Sequence, residues 1–202
     1  GGKVTATTSI TGDVDVDGAA SELTTAKIVG GLTQGNGDVK ADEVTGAAKV
    51  NGGTLTASKL GSLEQTAGEV VAKGDALTVS GTTQQTGGTL GDDNDTVTLE
   101  GALTQTAGEI KAGTLNLEAD SSVAGKVAAT TLDAEGTTRT TSGDIDATTV
   151  KADTLNVTAG TVDATDITAT TLDVDAGEVT AATITADIDQ DGGKVTATTS
   201  IT

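Results

Sequence analysis

Phenylalanine, tryptophan, tyrosine, methionine, histidine, cysteine and proline are all absent from the 202 residues. Each absence excludes something. Without aromatics or methionine no large side chain can fill a thick core, so any interior must be thin. Without histidine or cysteine there is no Ser–His or Cys–His nucleophile pair and no imidazole base. No disulfide can form, and the lack of both oxidisable sulfurs suits an oxidising exterior. Positive charge is scarce as well: 11 Lys and Arg stand against 30 Asp and Glu, for a net charge of -19. Nucleic acid and anionic lipid are therefore poor partners and cations better ones. No apolar run approaches the roughly 18 residues that would cross a bilayer, and the first residues lack the basic-then-apolar order of a signal segment. No membrane insertion is expected.

Threonine (43), alanine (29) and glycine (28) make up 100 of the residues. Low hydrophobicity and high charge would suit disorder or a solvated stalk, but the apolar residues recur too regularly for that. From Gly143 the chain reads GDIDATTVKADTLNVTA, from Gly160 GTVDATDITATTLDVDA, and from Gly177 GEVTAATITADIDQD. Apolar residues come in pairs two apart: Ile145 with Ala147, Val150 with Ala152, Leu155 with Val157. A spacing of two puts both members on one face of a strand, and the step of three between pairs requires a bend that brings the next pair back inside. Each copy is then one three-sided coil. Equivalent glycines at 2, 37, 53, 68, 88, 108, 125, 143, 160, 177 and 193 give 11 coils in 191 residues if the first interval holds two. The fold expected is all-β, a single parallel β-solenoid (β-helix) of about 11 three-sided coils of roughly 17 residues, with the least regular stretch at Ile28 to Val39 and a loop at Gly91 to Asp95.

A longer repeat lies above the coils. Gly1 to Thr11 and Gly192 to Thr202 are both GGKVTATTSIT. Residues 1–202 read as one continuous solenoid, with 1–191 one tandem period and 192–202 the start of the next identical period. Neighbouring copies of the repeat, end to end, are the expected partners, because an open solenoid end is an unpaired sheet edge.

The phrases LEQTAGEV (Leu63 to Val70) and LTQTAGEIKAGTLNLEA (Leu103 to Ala119) resemble the repeats of filamentous-haemagglutinin-like and autotransporter adhesins. That resemblance implies a right-handed β-helix and an extracellular or cell-surface fibre or adhesin stalk. A second resemblance, from coil length, is to bactofilins, which implies an end-to-end cytoskeletal polymer. Threonine pairs such as Thr5 with Thr7 and Thr196 with Thr198 raise ice binding, but positions aligned with Thr5 include Lys40, Lys111, Asp146 and Asp163, which interrupt a hydroxyl lattice.

Candidate chemistry is confined to carboxylates. DVDVDG (Asp13 to Gly18) and DIDQDG (Asp187 to Gly192) open like an EF-hand loop, yet the twelfth position holds Thr24 or Thr198 in place of glutamate. In a tandem array Asp13, Asp15 and Asp17 would fall one coil beyond Asp187, Asp189 and Asp191, with Asp173 and Asp175 one coil before. A ladder of like charges about 4.8 Å apart invites a cation, and calcium suits clustered oxygen ligands of irregular geometry. These eight aspartates are the candidate metal residues. GDDNDT (Gly91 to Thr96) resembles a single RTX-type calcium turn, and Asp92 with Asp93 resembles the dyad of some β-helical pectin-degrading enzymes, whose other motifs are missing. No catalytic or cofactor-binding residue is assigned, and no enzymatic activity is expected. Asn94 and Asn156 lie in glycosylation sequons.

Overall fold

The computed structural model describes residues 1–140 and 142–202, and among them there are only strands, turns and bends. The first strands are β1 (Lys3–Thr11), β2 (Val14–Val16), β3 (Glu22–Val29), β4 (Leu32–Gln34), β5 (Asp38–Val50), β6 (Thr54–Ala57) and β7 (Lys59–Gln65). The middle of the chain holds β8 (Glu69–Ala72), β9 (Ala76–Val79), β10 (Thr83–Gln85), β11 (Thr89–Leu90), β12 (Thr96–Leu99) and β13 (Leu103–Gln105). There follow β14 (Glu109–Leu117), β15 (Ser121–Val123), β16 (Lys126–Thr140), β17 (Asp144–Val157), β18 (Thr161–Val174), β19 (Glu178–Gln190) and β20 (Lys194–Ile201).

All pairings are parallel and join one coil to the next, giving a β-solenoid of about 12 turns. Lys3 stacks on Glu22, Glu22 on Asp38, Asp38 on Thr54, and the same column ends with Glu178 on Lys194. From Lys3 to Lys194 the register makes eleven steps, of 19, 16, 16, 15, 20, 20, 17, 18, 17, 17 and 16 residues. The long first glycine interval is indeed two coils. Ser21 occupies the missing glycine's place, its carbonyl accepting from Asp38 N–H as Gly37's does from Thr54 N–H.

The inward residues follow the spacing of two. Ile145, Val150, Leu155 and Val157 are buried, and each stacks on its counterpart Val162, Ile167, Leu172 and Val174. The two 20-residue coils form three separate strands each, β8 to β10 and β11 to β13, whereas elsewhere neighbouring sides merge into longer strands. In β17 and β18 the ladder runs unbroken through two corners, where Thr148 and Asp153 are skipped in the pairing, and only the glycine corner interrupts it. A parallel ladder tolerates such bends because every coil turns at the same place.

The region from Ile28 to Val39, expected to be the least regular, is an ordinary coil: Leu32, Thr33 and Gln34 pair with Val14 to Val16 on one side and Ala48 to Val50 on the other. Its glycines serve close stacking. A Cβ at Gly30 would lie 2.5 Å from the Gly12 carbonyl oxygen, and one at Gly46 would lie 2.7 Å from that of Gly30. The irregularity falls instead in the two 20-residue coils. One carries Lys73–Gly74–Asp75, where Asp75 has φ of 67°, and the other carries the turn from Gly91 to Asp95.

The main glycine column packs backbone on backbone in the same way. Gly53 has φ of 70°, and a Cβ there would sit 2.0 Å from the Gly37 carbonyl oxygen. Gly53→Ala is therefore expected to cost about 2 kcal/mol or more, from strain at positive φ together with displacement of the stacked corner. A chemical-denaturation midpoint equal to wild type would show that this corner yields without cost.

Candidate functional site

Side three of the coil, the face built by β2, β4 and their successors, holds most of the polar features. Its outer central column begins Asp15, Thr33, Lys49, Glu64, Gln84, Thr104 and Ser122, and ends Asn156, Asp173 and Asp189. Asp173 and Asp189 are thus stacked one coil apart, as the sequence spacing requires. Partial burial, and then the charges of Asp175, Asp189 and Asp191, push the Asp173 carboxyl above the usual range; the Asn156 amide opposes this, donating to Asp173 Oδ2 at 2.6 Å. Asn156 points outward in this column, between the buried Leu155 and Val157, and is half-buried.

A carboxyl whose pKa is raised on folding opposes folding while ionised, and the opposition fades as pH falls through the raised value towards the ordinary one near 3.8. Asp173→Asn should accordingly stabilise the C-terminal coils at pH 7 by less than about 1 kcal/mol, screened as a half-buried group is. The gain should shrink as pH drops into that window. A stability difference independent of pH between 7 and 4 would show that the neighbouring carboxylates do not act on Asp173.

The eight candidate metal residues separate into two groups. Asp13, Asp15 and Asp17 lie on the first coil; Asp173, Asp175, Asp187, Asp189 and Asp191 lie on the last two of this side. Asp13 Oδ1 already accepts the Gly31 N–H at 2.8 Å. Among the described residues no group of three or more Asp, Glu, His or Cys is placed to hold a metal ion. The two groups meet only if one period follows another. In the GDDNDT turn, Asp95 points inward, with Oδ2 accepting the Ala72 N–H at 3.2 Å and its carbonyl accepting the Gly113 N–H, while Asp92 Oδ1 accepts the Asn94 N–H. Its role there is to close the inserted turn. Asp92 and Asp93 are exposed.

Inside side three runs a feature that the apolar periodicity did not disclose: Gln34, Gln65, Gln85 and Gln105 are buried in one column with Val16, Val50 and Val123. Each amide reaches across the glycine corner. Gln65 Nε2 donates to the carbonyls of Gly68 and Thr89, Gln85 Nε2 to those of Gly88 and Glu109, and Gln105 Nε2 to those of Gly108 and Lys126. Successive glutamines are also linked, Gln85 Nε2 donating to Gln65 Oε1 at 3.2 Å and Gln105 Nε2 to Gln85 Oε1 at 2.9 Å. The available signal was Gln-x-x-Gly, at 34/37, 65/68, 85/88, 105/108 and 190/193.

Basic residues that look scattered in sequence form ion pairs between adjacent coils: Lys3–Glu22 at 2.7 Å, Lys27–Glu43 at 2.7 Å, Lys49–Glu64 at 3.0 Å and Lys194–Glu178 at 2.7 Å. The first of these raises the Lys3 ammonium and lowers the Glu22 carboxyl through their mutual hydrogen bond. Exposed pairs stabilise little singly, but like charges in register are disfavoured, so the ladder helps fix which coil sits on which.

At the first coil Val4 is 56 % exposed, and a groove of about 360 Å³ is lined by Val4, Ile10, Val14 and Val16 and rimmed by Asp13 and Asp17. At the last coil Ile201 is 55 % exposed. Among the described residues no helix is long and apolar enough to cross a membrane. No protein-family model matches the chain, and neither the curated proteins nor the solved structures contain a match.

Proposed function

We propose that the chain is a non-catalytic structural segment of an extracellular filament or surface stalk in which periods of 191 residues continue one another as a single solenoid. The observation that carries this is the way the duplicated segment packs. Read as β1, GGKVTATTSIT lies against β3, with Lys3 on Glu22, Val4 on Leu23 and Ile10 on Ile28. Read as β20, it lies against β19, with Lys194 on Glu178, Val195 on Val179 and Ile201 on Ile184. One sequence fits two surfaces with the same residues inward and the same extra corner residue. Superposed, the two readings describe an uninterrupted joint in which a lysine lies between Glu178 and Glu22.

Such a joint stacks Asp13, Asp15 and Asp17 on Asp187, Asp189 and Asp191. Calcium is the cation proposed to relieve that ladder, since several carboxylate oxygens of irregular geometry suit it. The stalk reading is further supported over ice binding by the interrupted Thr5 column, Thr24, Lys40, Thr56, Val71, which offers ice no regular hydroxyl row.

The test is the axial repeat. Eleven coils at about 4.7 to 4.9 Å each give a period of roughly 52 to 54 Å, to be measured by imaging filaments or by fibre diffraction of a chain spanning several periods. A chelator should raise protease cleavage at the acidic joint before the regular coils. A repeat far from this value would remove the tandem-filament reading. A secretion signal in the full reading frame would separate a surface fibre from a cytoskeletal polymer.

A further inference from the structure

We propose that Asn94 is an N-glycosylation site, its amide taking an oligosaccharide from a polyprenyl diphosphate carrier, and that Asn156 is not, although both lie in an Asn-x-Thr sequon. This rests on the extracellular part of the reading above, since such carriers donate on the outer side of a membrane, and adds to it a modified residue.

The register of the coils pushes the first sequon out of the wall. Between Leu90 and Thr96 stand residues 91 to 95, whereas their partners on the next coil, Ile110 and Thr114, are separated only by residues 111 to 113. The surplus leaves the wall as a turn. The Asp95 N–H donates to the Asp92 carbonyl at 2.9 Å and the Asn94 N–H to Asp92 Oδ1 at 3.3 Å, which puts Asp93 and Asn94 at the tip. Asp95 holds the foot of the turn, its carboxylate accepting the Ala72 N–H and its carbonyl the N–H groups of Gly113 and Thr114. Asn94 and Thr96 are both exposed, and neither side chain has a hydrogen-bond partner among the described residues. Those are the two groups the reaction needs: the Nδ2 that forms the new bond, and the hydroxyl two residues on by which a transferase recognises its acceptor.

Asn156-Val157-Thr158 has the same pattern with both groups engaged. Asn156 Nδ2 donates to Asp173 Oδ2 at 2.6 Å, and the Thr158 hydroxyl donates to the Thr140 carbonyl at 2.7 Å. Val157 between them is fully buried at the end of β17. The residue two places before each asparagine separates the sequons again. Asp92 stands there, exposed, in the first, and Thr154 in the second. Bacterial-type oligosaccharyltransferases, which accept folded proteins, read an acid at that place.

In the transfer, Asn94 Nδ2 bonds to the anomeric carbon of the first sugar as the bond from that carbon to the diphosphate oxygen breaks. The carrier leaves as its diphosphate, and the amide proton passes to a base of the transferase. Nothing is oxidised or reduced. In a filament the glycan recurs once per period, roughly every 52 to 54 Å, along the corner that carries the inserted turn.

The experiment incubates the folded 202-residue chain with a purified bacterial-type oligosaccharyltransferase and its polyprenyl-diphosphate oligosaccharide, and reads intact mass and a peptide map. One glycan per chain is expected, on Asn94, and none on Asn94→Gln. Thr96→Val should slow transfer at least about a hundredfold and Asp92→Asn at least about tenfold, because a site built to pair with a polar group rejects an acceptor that lacks it. Asn156→Gln should leave the rate unchanged. The replaced side chains at 92, 94 and 96 are exposed, and an unchanged circular dichroism spectrum verifies that the variants fold. No gain in mass on the folded chain, a glycan on Asn156, or transfer that persists in Asn94→Gln would overturn the assignment. Those outcomes leave the filament reading standing, since its axial repeat is measured without any glycan, and an axial repeat far from the expected one leaves transfer to Asn94 untouched.

Discussion

Replacing Val150 or Ile167 with aspartate is expected to lower stability by about 4 kcal/mol, whereas Thr148→Asp should change it by less than about 1 kcal/mol. Val150 is fully buried between Leu132 and Ile167, and Ile167 between Val150 and Ile184. A carboxylate in either place has no cation or amide within the wall of the coil to pair with, and its neighbours above and below are apolar. Thr148 stands two residues away at an exposed corner that the ladder skips. The three variants differ in one charge at nearly the same height along the rod, so the comparison isolates direction of the side chain. Urea midpoints would decide it. Equal midpoints for Val150→Asp and Thr148→Asp would contradict the inward assignment.

Gln85→Ala is expected to cost about 3 kcal/mol, and Gln34→Val less than about 1 kcal/mol, although both replace a fully buried glutamine. Gln85 is the centre of the ladder: its amide donates to Gln65 Oε1, Gly88 O and Glu109 O, and its own oxygen receives Gln105 Nε2. Removing it leaves a cavity and strips hydrogen bonds from both neighbouring glutamines. Gln34 has no glutamine beside it. Val16 and Val50 flank it, and its Oε1 has no partner. Its amide does serve Gly37 O and Thr54 O, but Gly37 O also accepts the Thr54 N–H and so remains satisfied when the side chain is lost. Valine there continues a valine column. If the two variants melt alike, the links between glutamines contribute nothing beyond each residue's own corner contact.

The contrast matters because side three is the polar side of an otherwise apolar interior. Thr83, Ser121, Thr138 and Thr140 are buried there along with the glutamines, and the hydroxyls of Thr83 and Thr138 have no partner. A thin core built from small side chains gains little from each coil, so fixed hydrogen bonds across the corner supply rigidity that larger side chains would otherwise provide. The phrases LEQTAGEV around Gln65 and LTQTAGEI around Gln105 are two of these Gln-x-x-Gly corners.

The alternation of apolar residues, the recurrent glycine and the missing large side chains were enough to specify a parallel solenoid with three pairs of inward residues per coil. That is because period two and the bend between pairs are local properties of the chain. The count of coils also followed from spacing alone, including the interval where serine stands for glycine. What only the tertiary structure decided depends on which residues lie one coil apart, a distance of 15 to 20 residues that shifts along the chain. Whether Lys27 meets Glu43, whether Gln85 finds Gln65, and whether Gly46 must be glycine because Gly30 lies against it are set by that variable register.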